Sequence, residues 1–144
     1  MANIKSVIIG RRHIDDFMAK FNNNKKFDID LKYGQVREKR LANIIENKKI
    51  EVKTERDWWR KTGNIAIEIE SYGKPSGLKS TKADYWVHIL ADGKEDYCML
   101  LFTVPALKKL ARKYKNKWRM MGDNKASKCI LIPLKEIFND NKTS

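Results

Sequence analysis

No apolar run in this chain approaches the ~18–20 residues that a helix needs to span a bilayer. That absence excludes an α-helical membrane protein. The N-terminus, MANIKSVIIGRRH, places only a short apolar patch ahead of its arginines, the reverse of a secretion signal. Cysteine is scarce. Cys98 and Cys129 have no metal-ligand spacing and read as reduced, buried thiols of a cytoplasmic protein, or of a host cytoplasm for a viral one. Internal repeats are missing, as is any linker that would divide the chain. Acidic residues are outnumbered, with 18 Asp+Glu against 31 Lys+Arg and a net charge of +13. Such an excess is the footprint of a protein that meets a polyanion. Nucleic acid is the leading candidate, because no segment combines a basic face with the broad aromatic face of a membrane-surface helix. A plain solubility charge is the alternative.

At 144 residues, 42% of them hydrophobic, the chain can build one domain with its own core. Its centre is Lys49–Glu70, KIEVKTERDWWRKTGNIAIEIE. Ile50 and Val52 alternate with Glu51 and Lys53, so Lys49–Thr54 reads as a strand. Ile65, Ile67 and Ile69 alternate with Ala66, Glu68 and Glu70, so Asn64–Glu70 reads as another. Folding back near Arg60 would pair them antiparallel, with Glu51 opposite Glu68 or Glu70. Facing carboxylates repel. A divalent cation would offset that, and Lys53 would add a positive charge beside them.

Upstream, Ile4–Ile9 reads as a strand or arm. His13–Phe21 reads as a short helix with Ile14, Phe17, Met18 and Phe21 on one stripe. A helix over Gly34–Asn47 carries Leu41, Ala42, Ile44 and Ile45. Glu38 falls on that stripe, three, four and seven residues before Leu41, Ala42 and Ile45. An inward carboxylate costs free energy unless it is paired or metal-bound. The other reading has Glu38 at the stripe's edge, reaching a surface Lys or Arg.

The turn between the central strands holds Arg56, Trp58, Trp59, Arg60 and Lys61. Basic residues interleaved with aromatics suit phosphates and unstacked bases, although one tryptophan is expected to fold back onto the core. The loop that follows, GKPSGLKSTK, offers Lys74, Ser76, Lys79, Thr81 and Lys82 for phosphate contact. Tyr85–Leu90 and Tyr97–Val104 are strands joined at Ala91-Asp92-Gly93-Lys94, and His88 in the first reads as a packed or surface residue rather than a base. Pro105 opens a helix, Ala106–Lys115, with Leu107, Leu110, Ala111 and Tyr114 buried and the rest strongly basic. Met120–Lys128 is a loop, Cys129–Ile132 a strand and Leu134–Phe138 a last helical turn.

The helix bearing Glu38, followed by Glu51-Val-Lys53 in a β-meander with further acids, resembles the PD-(D/E)XK nuclease superfamily. The run EVKTERDWWRKTGNIAIEIESYGKPSGLKSTKADYW resembles its small phage-type endonucleases, and the likeness covers about residues 30–135. It implies an α/β fold, with a mixed, mostly antiparallel central sheet flanked by helices in an αβββαβ core. Residues 1–30 would be an N-terminal extension packed on a single nuclease domain at 31–140. The implied activity is Mg²⁺-dependent hydrolysis of DNA phosphodiesters, with Mn²⁺ as a substitute. Carried over by position, Glu38, Glu51, Glu68 and Glu70 hold metal, while Glu51, Lys53 and Glu68 serve catalysis. Asp84 is a weaker candidate acid. The usual aspartate strand ahead of the E-x-K strand is absent, so either Glu51 replaces that aspartate or Glu51-Val-Lys53 is itself the E-x-K. DNA is the implied partner, a second copy of the chain is a candidate partner, and a non-catalytic nucleic-acid-binding protein on the same scaffold is the alternative function.

Overall fold

The computed structural model describes residues 7–10 and 26–139. Arg11, Arg12, the expected helix His13–Phe21 and the tail beyond Asn139 lie outside the described residues. So does most of the expected N-terminal extension.

The fold is mixed α/β, as expected, but among the described residues its strands divide between two four-stranded sheets in place of one. The first sheet has the order β1 (Val7–Gly10), β6 (Glu95–Thr103), β5 (Tyr85–Asp92), β2 (Ile50–Arg56). The second has the order β4 (Lys74–Pro75), β3 (Asn64–Ser71), β8 (Ser127–Pro133), β7 (Trp118–Met121). The central strands β2 and β3 therefore do not pair with each other. β2 runs parallel to β5, with Glu51 beside Trp86 and Lys53 beside His88. β3 runs antiparallel to β8.

Local chemistry explains this correction. A parallel pair needs a crossover of a dozen or more residues, and the chain from Asp57 to Asp84 supplies one. The expected turn is a short helix, α2 (Trp58–Thr62). Asp57 enters it at φ 50° and Gly63 leaves it at φ 68°, donating its N–H to the Trp59 carbonyl at 2.8 Å. Glycine adopts that left-handed exit without steric cost. Trp59 is the tryptophan that folds inward, its Nε1 donating to the Ala91 carbonyl at 2.8 Å.

α1 spans Lys26–Asn47 and begins earlier than Gly34. Its buried line runs through Ile44, with Gly34 and Leu41 half-buried, while Ala42 and Ile45 are exposed. α3 (Val104–Lys113) starts as the sequence indicates: Thr103 caps it by accepting the Ala106 N–H at 3.3 Å, and Pro105 sits in its first turn. Its buried stripe is Val104, Leu107 and Ala111, extended by Tyr114. α4 (Leu134–Phe138) closes the described chain. The stretch read as a loop, Met120–Lys128, contains the end of β7 and a tight reversal where Gly122, Asn124 and Lys125 all have positive φ. Edge strand β7 pairs on one side only and leaves Trp118 and Met120 exposed, so its residues do not alternate in and out of a core.

The core joins the isoleucine face of β3 to α3 and to the inner faces of β5 and β6. Ile65, Ile67, Leu107 and Ile132 are fully buried, and Trp86, Leu100 and Phe102 nearly so. Each contributes about 1.5–3 kcal/mol by leaving water. Ile67→Ala is expected to lower unfolding free energy by about 2–5 kcal/mol in a urea melt. Val52→Ala, at a side chain 55% exposed, should stay within about 0.5 kcal/mol.

Candidate functional site: a cleft between the two sheets

Residues aligned across a parallel pair share a face. Glu51, Lys53 and Glu55 therefore lie on the face of the first sheet that carries Trp86, His88 and Leu90. The second sheet turns Ala66 and Glu68 of β3, and Ser127 and Cys129 of β8, toward the same space. The two sheets enclose a cavity of about 200 Å³ whose lining includes Lys53, Ala66, Glu68, Trp86, His88 and Cys129.

Glu55 ties the walls together. Its Oε2 accepts the Ala66 N–H of β3 at 3.0 Å and the His88 Nε2–H of β5 at 2.8 Å. Trp86 Nε1 donates to His88 Nδ1 at 3.4 Å, which leaves Nε2–H to donate to Glu55. His88 is thus a packed histidine, 2% exposed. Glu55 Oε1 is buried without a hydrogen-bond partner, which leaves acceptor capacity unused behind the cleft.

The other two acids are held by hydroxyls. Glu51 Oε2 accepts from Thr81 Oγ1 at 2.6 Å, and its Oε1 meets Lys53 Nζ at 3.0 Å. The Thr81 hydrogen bond, and then Lys53, keep the Glu51 carboxyl below its ordinary 4.5 despite partial burial. Glu68 accepts from Ser76 Oγ at 2.7 Å and from Ser127 Oγ at 2.6 Å. Ser76 is placed by Gly77, which packs against the Glu68 backbone at φ 51°; a Cβ there would overlap the Glu68 carbonyl oxygen. One loop therefore serves both acids, Ser76 at one end and Thr81 at the other. Lys53 Nζ also lies 6.0 Å from the Trp86 ring centroid.

The cleft brings together Lys53 and Glu68, with Glu51 beside Lys53. Two expected ligands are elsewhere. Glu38 is exposed on α1, on the same line as exposed Ala42 and Ile45, rather than on the buried line of Gly34, Leu41 and Ile44. Glu70 is turned away by a β-bulge at Ile69. The register passes from Glu68 beside Cys129 to Glu70 beside Lys128, and an extra residue reverses the alternation. Glu70 instead pairs with Lys79 at 3.2 Å.

The expected nucleic-acid contacts also divide. Ser76 and Thr81 serve the acids. Arg60 pairs with Asp92 at 2.7 Å and covers the Trp59 and Tyr97 rings. Trp58 is half-buried under Arg119, whose guanidinium lies 5.3 Å from the ring centroid. Arg56, Lys61, Lys74 and Lys82 are exposed. Asp84 Oδ2 accepts the Lys49 N–H at 3.1 Å and anchors the start of β2, outside the cleft lining. Sequence reasoning missed Glu55, Ser127 and Cys129. Glu55 continues the Glu51–Lys53 alternation by one step, which a strand drawn to Arg56 would have included.

Among the described residues, no three His, Cys, Asp or Glu side chains are gathered to hold a metal ion. The donor set still fits one kind of site. Mg²⁺ keeps several waters and binds through one or two carboxylates plus substrate phosphate. Each oxygen of Glu51 and Glu68 has a single protein partner and a second lone pair to offer. No family model, curated protein or solved structure matches the chain.

Two outcomes follow from this geometry. Glu55→Ala leaves His88 Nε2–H and the Ala66 N–H unpaired, and should cost about 3 kcal/mol in a denaturant melt. Thr81→Val should raise the Glu51 titration midpoint toward 4.5 in a carboxyl-carbon NMR titration, while Thr81→Ser keeps it low. A carboxylate depressed by folding gives stability that is complete above the unfolded value near 4.5 and is lost as pH falls through the folded value. The Val variant should accordingly show a smaller drop in melting temperature between pH 5 and pH 3, values on the order of the carboxylate range.

Proposed function

We propose that the chain is a Mg²⁺-dependent phosphodiester hydrolase acting on DNA, the activity implied by its resemblance to PD-(D/E)XK nucleases. The observation that supports this reading is that Lys53 and Glu68, from two different sheets, line one cleft, with Glu51 paired to Lys53 at 3.0 Å. Glu68 and Glu51 would hold the cation, which when bound polarises the phosphate and activates water.

The chain's own residues do the rest. Ser76 and Ser127 fix both oxygens of Glu68 in one orientation. Thr81 and Lys53 keep Glu51 ionised, so a hard-oxygen ligand stands ready across the neutral range. Lys53 Nζ, 44% exposed on its side chain, is free to leave Glu51 for a phosphate oxygen and to stabilise charge that develops there. Glu55 and His88 keep the two walls in register. Exposed Arg56, Lys61, Lys74 and Lys82 supply the long-range attraction.

A second reading is a nucleic-acid-binding protein without catalysis. It is favoured by one observation: Glu51 and Glu68 already have protein partners for all four oxygens. Supercoiled, linear, junction and single-stranded DNA incubated with Mg²⁺, Mn²⁺ or chelator separates the two. Cleavage should require metal. Glu68→Gln should abolish it and leave DNA binding intact, since an amide is a poorer ligand for a hard cation. Lys53→Ala should slow it by ~10²–10³. Unchanged cutting by the Glu68→Gln protein would sink the site assignment. Salt-sensitive binding with no cleavage under any metal would establish the second reading.

A further inference from the structure

The bulge in β3 creates a second surface. Glu68 faces the cleft, while Ile69 and Glu70 both turn to the opposite side, toward α3. There a groove of about 250 Å³ has an apolar floor of Ile69, Leu78, Ala111 and Ile130. Four cations rim it: Lys79 from the loop, and Lys108, Arg112 and Lys115 from α3 and the turn after it. Lys108, Arg112 and Lys115 follow i, i+4, i+7 spacing, so they line one side of the helix.

Among the described residues, ion pairing engages one of these four cations. Lys79 is engaged by Glu70, and Lys113, on another line of α3, by Glu136 at 3.5 Å. Among the described residues, no ion pair involves Lys108, Arg112 or Lys115. Holding like charges along one face costs free energy, and an anion laid along it removes that cost.

We infer that this groove is the track for a DNA sugar–phosphate backbone. The cations take phosphates, and the recessed floor takes the apolar faces of the deoxyriboses between them. A membrane surface fits worse, because its protein partner must project apolar side chains beyond the basic ones, and here the apolar side chains lie beneath the cation rim. The inference rests on the nucleic-acid part of the function proposed above and adds where the strand runs. Lys79 and Ser76 are three residues apart in one loop, Lys79 at the groove and Ser76 on Glu68. That loop therefore borders both the groove and the Glu68 carboxylate.

The test is duplex binding by fluorescence anisotropy in chelator across a salt series, with no cleavage required. The triple variant K108A/R112A/K115A should flatten the log–log salt dependence by about 2–3, since each lost phosphate contact removes ~0.9. The charge-matched control K94A/K125A/K135A, altered on other elements, should change it by less than about 1. K108R/R112K/K115R should keep the parent slope, which excludes misfolding as the cause. Equal slopes for the two alanine triples overturn the track, as does loss of the slope in the charge-preserving variant. Binding to 3:1 phosphatidylcholine:phosphatidylserine vesicles that depends on the α3 triple, with DNA binding that does not, also overturns it. Because the readout is affinity in chelator, a failed track leaves metal-dependent cleavage standing, and an absence of cleavage leaves the track standing.

Discussion

Strand β3 pairs with β8 along one side, and its other side meets β4 only at Glu70 and Ser71. An inner-facing amide with no strand beside it is costly to leave unmatched. Glu55 of β2 supplies the missing acceptor: one carboxylate oxygen takes the Ala66 N–H and the His88 Nε2–H together. A side chain thus does across the gap what a strand backbone does within a sheet. Everything in the cleft depends on it. Glu51 and Lys53 precede Glu55 on the same face of the same strand, and Glu68 follows Ala66 on the same face of β3. Fixing Glu55 to Ala66 fixes the two halves of the site relative to each other.

The loop from Ser76 to Thr81 is the second constraint. It fastens to Glu68 at one end and to Glu51 at the other, and Gly77 lets it approach the β3 backbone closely. The loop is rich in hydroxyls because two carboxylates need donors that carry no charge of their own. A lysine in those places would neutralise the acids, whereas serine and threonine orient them and leave their charge available. The bulge at Ile69 then allows one strand to serve two surfaces, acid on one side and basic groove on the other.

Much of this was legible in the sequence, and the failures have physical causes. Alternation identified β2 and β3, and short apolar runs identified β6 and β8. The Leu107, Ala111 and Tyr114 stripe identified α3. What alternation cannot report is the partner strand: β2 looks the same beside β3 as beside β5. The expected Glu51–Glu68 pairing therefore failed, although Glu68 and Lys53 still meet across the cleft. Glu70 was misplaced because one inserted residue reverses the faces, and Ile69 is as apolar as its neighbours. Glu38 was misplaced because apolar positions on α1 span a stripe wider than the buried line; Ile45 remains 62% exposed. β7 was unreadable because an edge strand with Trp118 and Met120 in solvent carries no period-two signal.

Cys129 reports the electrostatics of the result. Burial first, then the negative charges of Glu68 and Glu55, raise its thiol to about 11. A thiolate there is disfavoured because its surroundings are desolvated and hold two acids. Yet the chain as a whole carries +13. The charge around Cys129 is therefore opposite in sign to the net charge of the chain. Under the proposed function that contrast suits a site completed by a cation, since a positive ion between carboxylates and phosphate would turn two repulsions into attractions. Surface charge would then set how tightly DNA is held, and the cleft would set whether anything happens to it.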